Sequence, residues 1–400
     1  MFSFLIRFIF LLIPFWPFGG SGTTTREGPE LKKTSLELPQ NPKDFQFIRI
    51  ALTKSVSEVA VLVASPYKVT DSKGRPLFSG ERLNTKVKGI PEGIQIGPQI
   101  FHDSPLTIQT DGEGIKLDGR LYRHAVKIWK ENSSKVSVIN EVPIEDYLKG
   151  VLPWEANPEW PMEALKAQAI AARTYALFKA IENQDHRFAL SKDVLSQVYG
   201  GKTSEKAVTS QAVEATRGQV LTYRGKIFPA YFHSTCGGAT TQAETIWDVQ
   251  PHEALKGVKC NFCTDSKHYR WSNEISRKEI ETQLRKHGYK AIGFQEIQTA
   301  DIDASGRAKN FMIILADDSK VKIRSNDFRL WVDPGKLKST LIESIEKKTD
   351  RFIFRGRGWG HGVGLCQYGM KRLAELGYAY DLILQYYYPD TDITAFAKDG

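Results

Sequence analysis

VPIEDYLKGVLPWEANPEWPMEALKAQAIAARTYAL, residues 142–177, decides how this chain is read. It places one glutamate, Glu155, among Pro153, Trp154, Trp160 and Pro161, in what the prolines mark as an apolar loop ahead of a long helix. A carboxyl so surrounded loses hydration, which disfavours its charged form and raises its pKa toward the range useful for proton donation. Pro158 and Pro161 interrupt any earlier helix, and Pro161 suits a first helical turn, where its missing N–H costs nothing. Glu163 then favours the positive end of the helix dipole. From Met162 to about Ile181, Leu165, Ala169, Ala172 and Ala176 recur at helical spacing, and such small residues let another element approach closely, so a buried helix is expected. Gln168 and Arg173 interrupt that stripe; taken alone, each reads as bridging nearby backbone, because buried polar side chains are as a rule hydrogen-bonded.

Upstream, Phe45 to Gly119 carries short β-branched runs (FIRIAL, VAVLVA, YKVTD) punctuated by Gly, Pro, Asn and Asp, the pattern of strands. HAVKIW and KVSVIN continue it around a turn at residues 131–134. Downstream, a helix is expected from about Ser204 to Thr216, a hairpin turning at Arg224-Gly225, a helix over Arg277–His287, a hairpin through Asp303–Ile323 and a helix near Lys371–Leu376. The fold class is α+β: mixed β-sheets with a buried alanine-rich helix, a β-rich region over 44–119, then a catalytic core over 120–395. Residues 23–43, rich in Pro, Thr, Gly and charge, read as a linker.

Residues 1–22 carry one charge, Arg7, an apolar run from Phe8 to Phe18, then Gly19 to Gly22. The run is short for a membrane span of roughly 20 residues, and no A-x-A-like cleavage site is evident, so the segment reads as a signal peptide or an uncleaved N-terminal anchor. Either places the body outside the cytoplasm, in the periplasm or cell envelope or secreted, touching membrane only through that N-terminus. The chain has 400 residues, 41% hydrophobic and 25% charged, which excludes disordered and fibrous classes. A net charge of +9 favours polyanions. With no zinc-finger helix, aromatic RNA-binding signature or compact basic block, nucleic acid is not the expected partner.

All four cysteines fall in three segments: Cys236 in YFHSTCGGAT (231–240), Cys260 and Cys263 as a C-x-x-C pair, and Cys366 in RGRGWGHGVGLCQYGM (355–370). They fit a structural zinc site with all four sulfurs as ligands, disulfides in an oxidising compartment, or buried thiols, and His268 stands close enough in sequence to replace one sulfur. No H-E-x-x-H-like spacing points to catalytic zinc. His233 and His361 either orient substrate and assist proton transfer or bond backbone in their glycine-lined turns.

Taken together, VPIEDYLKGVLPWE, WPMEALKAQAIAARTYAL, SQVYGG (196–201), AVEATRGQVLTY, YFHSTCGGATTQAETIW and GRGWGHGVGLCQYGM, in this order, resemble the stage II sporulation protein D family (SpoIID/LytB) of bacterial cell-wall proteins. The resemblance spans about Tyr122 to Leu376. It implies a lytic transglycosylase acting on peptidoglycan glycan strands that lack stem peptides, often beside a cell-wall amidase; other members are amidase enhancers, in which binding is emphasised. The family's catalytic glutamate maps onto Glu155, and Gln168, Arg173, Tyr199, His233, His361 and Gln367 fall at site-lining positions of its motifs. Where members commonly carry serine, this chain has Cys366, and Cys236 also varies, so the four cysteines read as a linked feature. One carboxyl suffices for the implied reaction, because the sugar's own C6 hydroxyl closes a 1,6-anhydro ring, whereas ordinary glycosidases need two. Glu159 and Glu163 read as exposed helix-start charges, Glu145 and Asp146 as strand-end or helix-cap residues. The rival expectations are a non-catalytic glycan-binding amidase enhancer and a zinc hydrolase built on His233, His361 and a cysteine.

Overall fold

The computed structural model describes residues 31–132, 134–192, 197–290 and 293–396. The segment read as signal or anchor, 1–22, lies outside them. Among the described residues no helix is long and apolar enough to cross a membrane.

The fold is α+β, with eight α-helices among the described residues: α1 Ile144–Glu155, α2 Met162–Glu182, α3 Ala207–Ala215, α4 Ala243–Ile246, α5 Arg277–Lys286, α6 Ser325–Val332, α7 Gln367–Glu375 and α8 Tyr380–Tyr387. The β-rich N-terminal half forms a seven-stranded and a six-stranded sheet. Strand Lys135–Pro143 is central to the first, antiparallel to Phe47–Val56 on one side and to Ala125–Asn132 on the other. It is buried on both faces, which is why its sequence is nearly continuously apolar, whereas Glu58–Val63 in the six-stranded sheet alternates buried and open positions. Both sheets contribute to one hydrophobic core. That core and the first sheet run across the boundary expected near residue 119 without a break.

The alanine-rich helix explains itself by where it lies. Leu165, Ala169, Ala172 and Ala176 pack into the β-sheet core, while Ala164, Ala167, Ile170 and Ala171 pack into a second core with α4, α7, α8 and the four cysteines. A helix walled on both sides is apolar all round rather than striped, and its small side chains bring both cores close. A third core, built from Trp271, Phe294, Phe311, Phe328, Phe352 and Phe354 among others, belongs to two three-stranded sheets with α5 and α6, inserted between the cysteine-bearing segments. The stretch expected as one core over 120–395 therefore holds this additional packed unit.

Three expectations are corrected. Residues 31–36, read as linker, pack along the body: Leu36 pairs with Ile227, and the buried Thr34 donates its hydroxyl to the Gln250 carbonyl at 3.0 Å. Short polar segments dock when a sheet edge offers unpaired backbone groups. Glu155 is not in a loop but closes α1, which continues through Pro153. The proline lies in the last turn, so few bonds are lost, and the buried Tyr147, Leu148, Val151 and Leu152 hold the helix in place. The Ser204–Thr216 helix begins only at Ala207, after a short 3-10 turn at Lys202–Ser204.

Candidate functional site

Two of the sequence segments, 231–240 and 355–370, meet through backbone pairing. Phe232 and His233 lie parallel to Leu365 and Cys366, and Thr235 pairs with Trp359. The ladder places Gln367, first residue of α7, beside the end of α1. There the Glu155 carboxylate accepts the Val198 N–H at 3.0 Å and a hydrogen bond from the Gln367 side chain. Gln367 Nε2 also reaches Gln168 Oε1 at 3.4 Å on α2. Glu155, Gln367 and Gln168 thus form one chain of contacts across α1, α7 and α2.

Burial dominates the electrostatics of Glu155: it raises the pKa to about 7, against the lowering effect of its two hydrogen bonds. Glu155 as a residue is half-buried, while its carboxyl is enclosed by protein atoms, and that enclosure is what tunes it. No carboxylate is among the groups that shift it. Trp154 beside it is 51% exposed, and Gly200 makes room for that indole, since a Cβ there would stand 2.4 Å from Trp154 Nε1. Trp160 and Tyr368 pack edge to face at 5.6 Å. Tyr231, Trp247 and His361 form a second aromatic group, with Tyr231 to Trp247 at 4.4 Å and Trp247 to His361 at 4.9 Å.

His233 and His361, 5.5 Å apart, bond the same residue: His233 Nδ1 donates to the Val363 carbonyl at 3.1 Å, and His361 Nδ1 accepts the Val363 N–H at 3.1 Å. Burial depresses both, His233 to about 3, with the Arg307 charge adding to the effect. Each is a neutral imidazole at physiological pH. Neither is a proton donor poised for acid catalysis.

Two expected site-lining residues lie elsewhere. Arg173 is 1% exposed and spends every guanidinium N–H on protein: two on Glu145, at 2.9 and 2.7 Å, the others on the Val213 and Gln219 carbonyls and Thr216 Oγ1. It ties α1 and α2 to the end of α3 and leaves no donor for a ligand. Glu145, read as a strand-end or cap residue, is its buried partner. Tyr199 is 1% exposed, with its hydroxyl donating to Asn140 Oδ1 at 2.8 Å and its ring against Tyr122 and Tyr147. Conversely, sequence reading did not single out the Val198 N–H, although it lies in SQVYGG, nor Trp247, although it ends YFHSTCGGATTQAETIW, nor Arg307, which carries no local pattern.

The four cysteines converge. Their sulfurs all lie within 4.8 Å of one another, all are buried, and none is disulfide-bonded. Cys236 and Cys263 Sγ are 3.4 Å apart, well beyond the roughly 2.05 Å of a disulfide. Tetrahedral zinc, with Zn–S bonds of about 2.3 Å, sets sulfurs about 3.8 Å apart, so the quartet fits that ion. Burial pushes the Cys366 thiol up, and a nearby cation is what would let such a group ionise. Arg307, fully buried, reaches in from the inserted unit and donates to the Ala239 carbonyl at 2.7 Å and to the Cys236 carbonyl. Gly362 permits it: a Cβ there would stand 2.4 Å from Arg307 Nε. His268 is no part of the cluster and packs instead on Trp359 at 4.1 Å, beside Lys338.

An α+β protein with one tuned glutamate at a helix end, amide partners on two neighbouring elements and a buried sulfur quartet is thereby defined. A family model described as "Stage II sporulation protein" matches residues 132–223, and one described as "Domain of unknown function (DUF8618)" matches residues 244–364. The chain is 34% identical over 355 residues to an uncharacterized protein of Brachyspira hyodysenteriae, covering 88% of this chain and 94% of that one. It is 30% identical over 277 residues to the stage II sporulation protein D of Bacillus subtilis, covering 64% and 76%. Against the amidase enhancer of Bacillus subtilis it is 28% identical over 398 residues, covering 87% of this chain and 54% of that protein, so the chain spans about half that relative's length. The chain belongs to the stage II sporulation protein D family.

Proposed function

We propose that this protein acts in the cell envelope on peptidoglycan, as a lytic transglycosylase that cleaves peptide-free glycan strands with Glu155 as the single acid and base. The observation that carries this reading is the Glu155 carboxyl itself, with a pKa raised to about 7 by burial, on a half-buried residue, and shifted by no second carboxylate. In the protonated form it donates to the glycosidic oxygen as the bond to C1 breaks. As carboxylate it then takes the proton from the C6 hydroxyl, whose oxygen bonds to C1 and closes the 1,6-anhydro ring. Water is neither consumed nor released, and the proton is returned to Glu155. The Val198 N–H and Gln367 fix the carboxyl, and Trp154 offers a half-exposed apolar face for a sugar ring.

The sulfur quartet is proposed to hold zinc through Cys236, Cys260, Cys263 and Cys366, where the ion would bring charge neutralisation and rigidity. Cys366 directly precedes Gln367, so a clamped Cys366 keeps the amide on Glu155. A second reading is supported by the amidase-enhancer relative: the same cleft grips glycan without cutting it and assists a partner amidase. Mass spectrometry of digested, peptide-free strands separates the two. Wild-type protein is expected to give anhydro-muramoyl ends, one water lighter than hydrolysed ends, and Glu155→Gln to give none. Hydrolysed reducing ends, or equal turnover by the variant, would overturn the transglycosylase reading.

A further inference from the structure

We propose that Arg329, with Ser325 one turn before it on α6, forms a subsite for the free lactyl carboxylate of a muramoyl residue, and so reads whether the strand has lost its stem peptide. The inference rests on the glycan-strand reading above and adds the group that senses the substrate's chemistry. Arg329 is 7% exposed, and its Nε and Nη2 donate only to the neutral Asn326 Oδ1, at 3.2 and 3.1 Å. Among the described residues no carboxylate pairs with it. A buried cation without a counter-ion is costly, and it is retained most readily where a ligand supplies the missing charge.

The surroundings tie this cation to the Trp247 and His361 pair of the aromatic group. Arg324, at the start of α6, pairs with Asp248, next to Trp247, whose ring lies 4.9 Å from His361. Downstream of α6 the chain runs along the glycine-rich loop, with Gly360 N donating to the Lys338 carbonyl at 2.9 Å. The Arg329 charge reaches His361 and helps keep that imidazole neutral, after burial and His233. Ser325 is fully buried, and its Oγ has no partner. Positions i and i+4 share a helix face, so Ser325 and Arg329 lie on the same side of α6, in its first turns, where the helix itself supplies no acceptors for its leading N–H groups.

The anionic group that a bare muramoyl sugar carries is the lactyl carboxylate, which a guanidinium binds with two parallel hydrogen bonds. A stem peptide turns that carboxyl into a neutral amide bearing a bulky chain, which gives Arg329 no charge and does not enter so closed a site. Binding is the readout, measured by calorimetry in the Glu155→Gln protein, so that cleavage does not intervene. Two ligands are compared: peptide-free strands, and the same strands with their carboxyls amidated by carbodiimide and ammonia. Free-carboxylate strands are expected to bind about tenfold more tightly or better. Adding Arg329→Gln is expected to erase that difference, and Arg329→Lys to restore part of it. Ser325→Ala, which leaves the guanidinium in place, is expected to narrow the difference without erasing it. Equal binding of both strands by the Glu155→Gln protein, or undiminished discrimination after Arg329→Gln, overturns the subsite alone. Failure of both strands to bind overturns the glycan reading as well.

Discussion

Glu155 and Arg173 show how one segment yields a reactive carboxyl and a structural cation. The Glu155 pKa in the folded chain, about 7, lies above its ordinary 4.5, so between those values the folded state holds more protons than the unfolded one. Stability from this group is therefore complete below about pH 4.5 and lost as pH rises through 7. Glu155→Gln, which cannot ionise, is expected to be more stable than wild type at pH 8 by about 1–3 kcal/mol, with the gap closing at pH 4. Urea unfolding at the two pH values checks it. The same ionisation sets the alkaline limb of activity: kcat/KM should fall as pH rises above about 7. Arg173→Ala, by contrast, strands Glu145 as a buried unpaired carboxylate and is expected to cost about 3–5 kcal/mol in denaturant unfolding. Trp154→Ala removes an exposed indole that packs little of the core. It is expected to weaken glycan binding several-fold while leaving the melting temperature nearly unchanged.

At the level of elements, the Phe232–His233 and Leu365–Cys366 ladder couples the sulfur quartet to the glutamate, because Gln367 follows Cys366 directly. Metal analysis of the purified protein is expected to give one zinc per chain. Chelation with a strong chelator is then expected to lower the melting temperature and reduce turnover together, as α7 loses its anchor. Recovery of metal-free protein with two disulfides would refute the zinc assignment. The legibility of these elements differs for physical reasons. The span of α2 was readable, because alanine recurs through it and Pro161 marks its start. The hairpin at Arg224-Gly225 was readable too, both residues adopting positive φ. The end of α1 was not, because Pro153 argues locally for a loop, and only burial of Tyr147, Leu148 and Val151 against neighbouring strands overrides it.

Over the whole molecule, α2 is a partition between two cores, and the inserted unit of α5, α6 and its six strands holds a third. That unit delivers Arg307 to the Cys236 carbonyl and sets the Arg329 charge within reach of His361, although both lie far in sequence from Glu155. The sequence alone determined the α+β class, the buried helix, the choice of Glu155 and the four cysteines as a group, since each depends on residue type, spacing or a motif carried within one segment. Only the tertiary structure decided that Arg173 and Tyr199 are core ties rather than site walls, that the cysteine sulfurs meet within 4.8 Å, and that Arg307 of the insert reaches the Cys236 carbonyl while Arg329 stays buried without a carboxylate partner among the described residues. A side chain's partners come from segments tens to hundreds of residues away, and burial and charge are properties of that assembled neighbourhood, which no local pattern encodes.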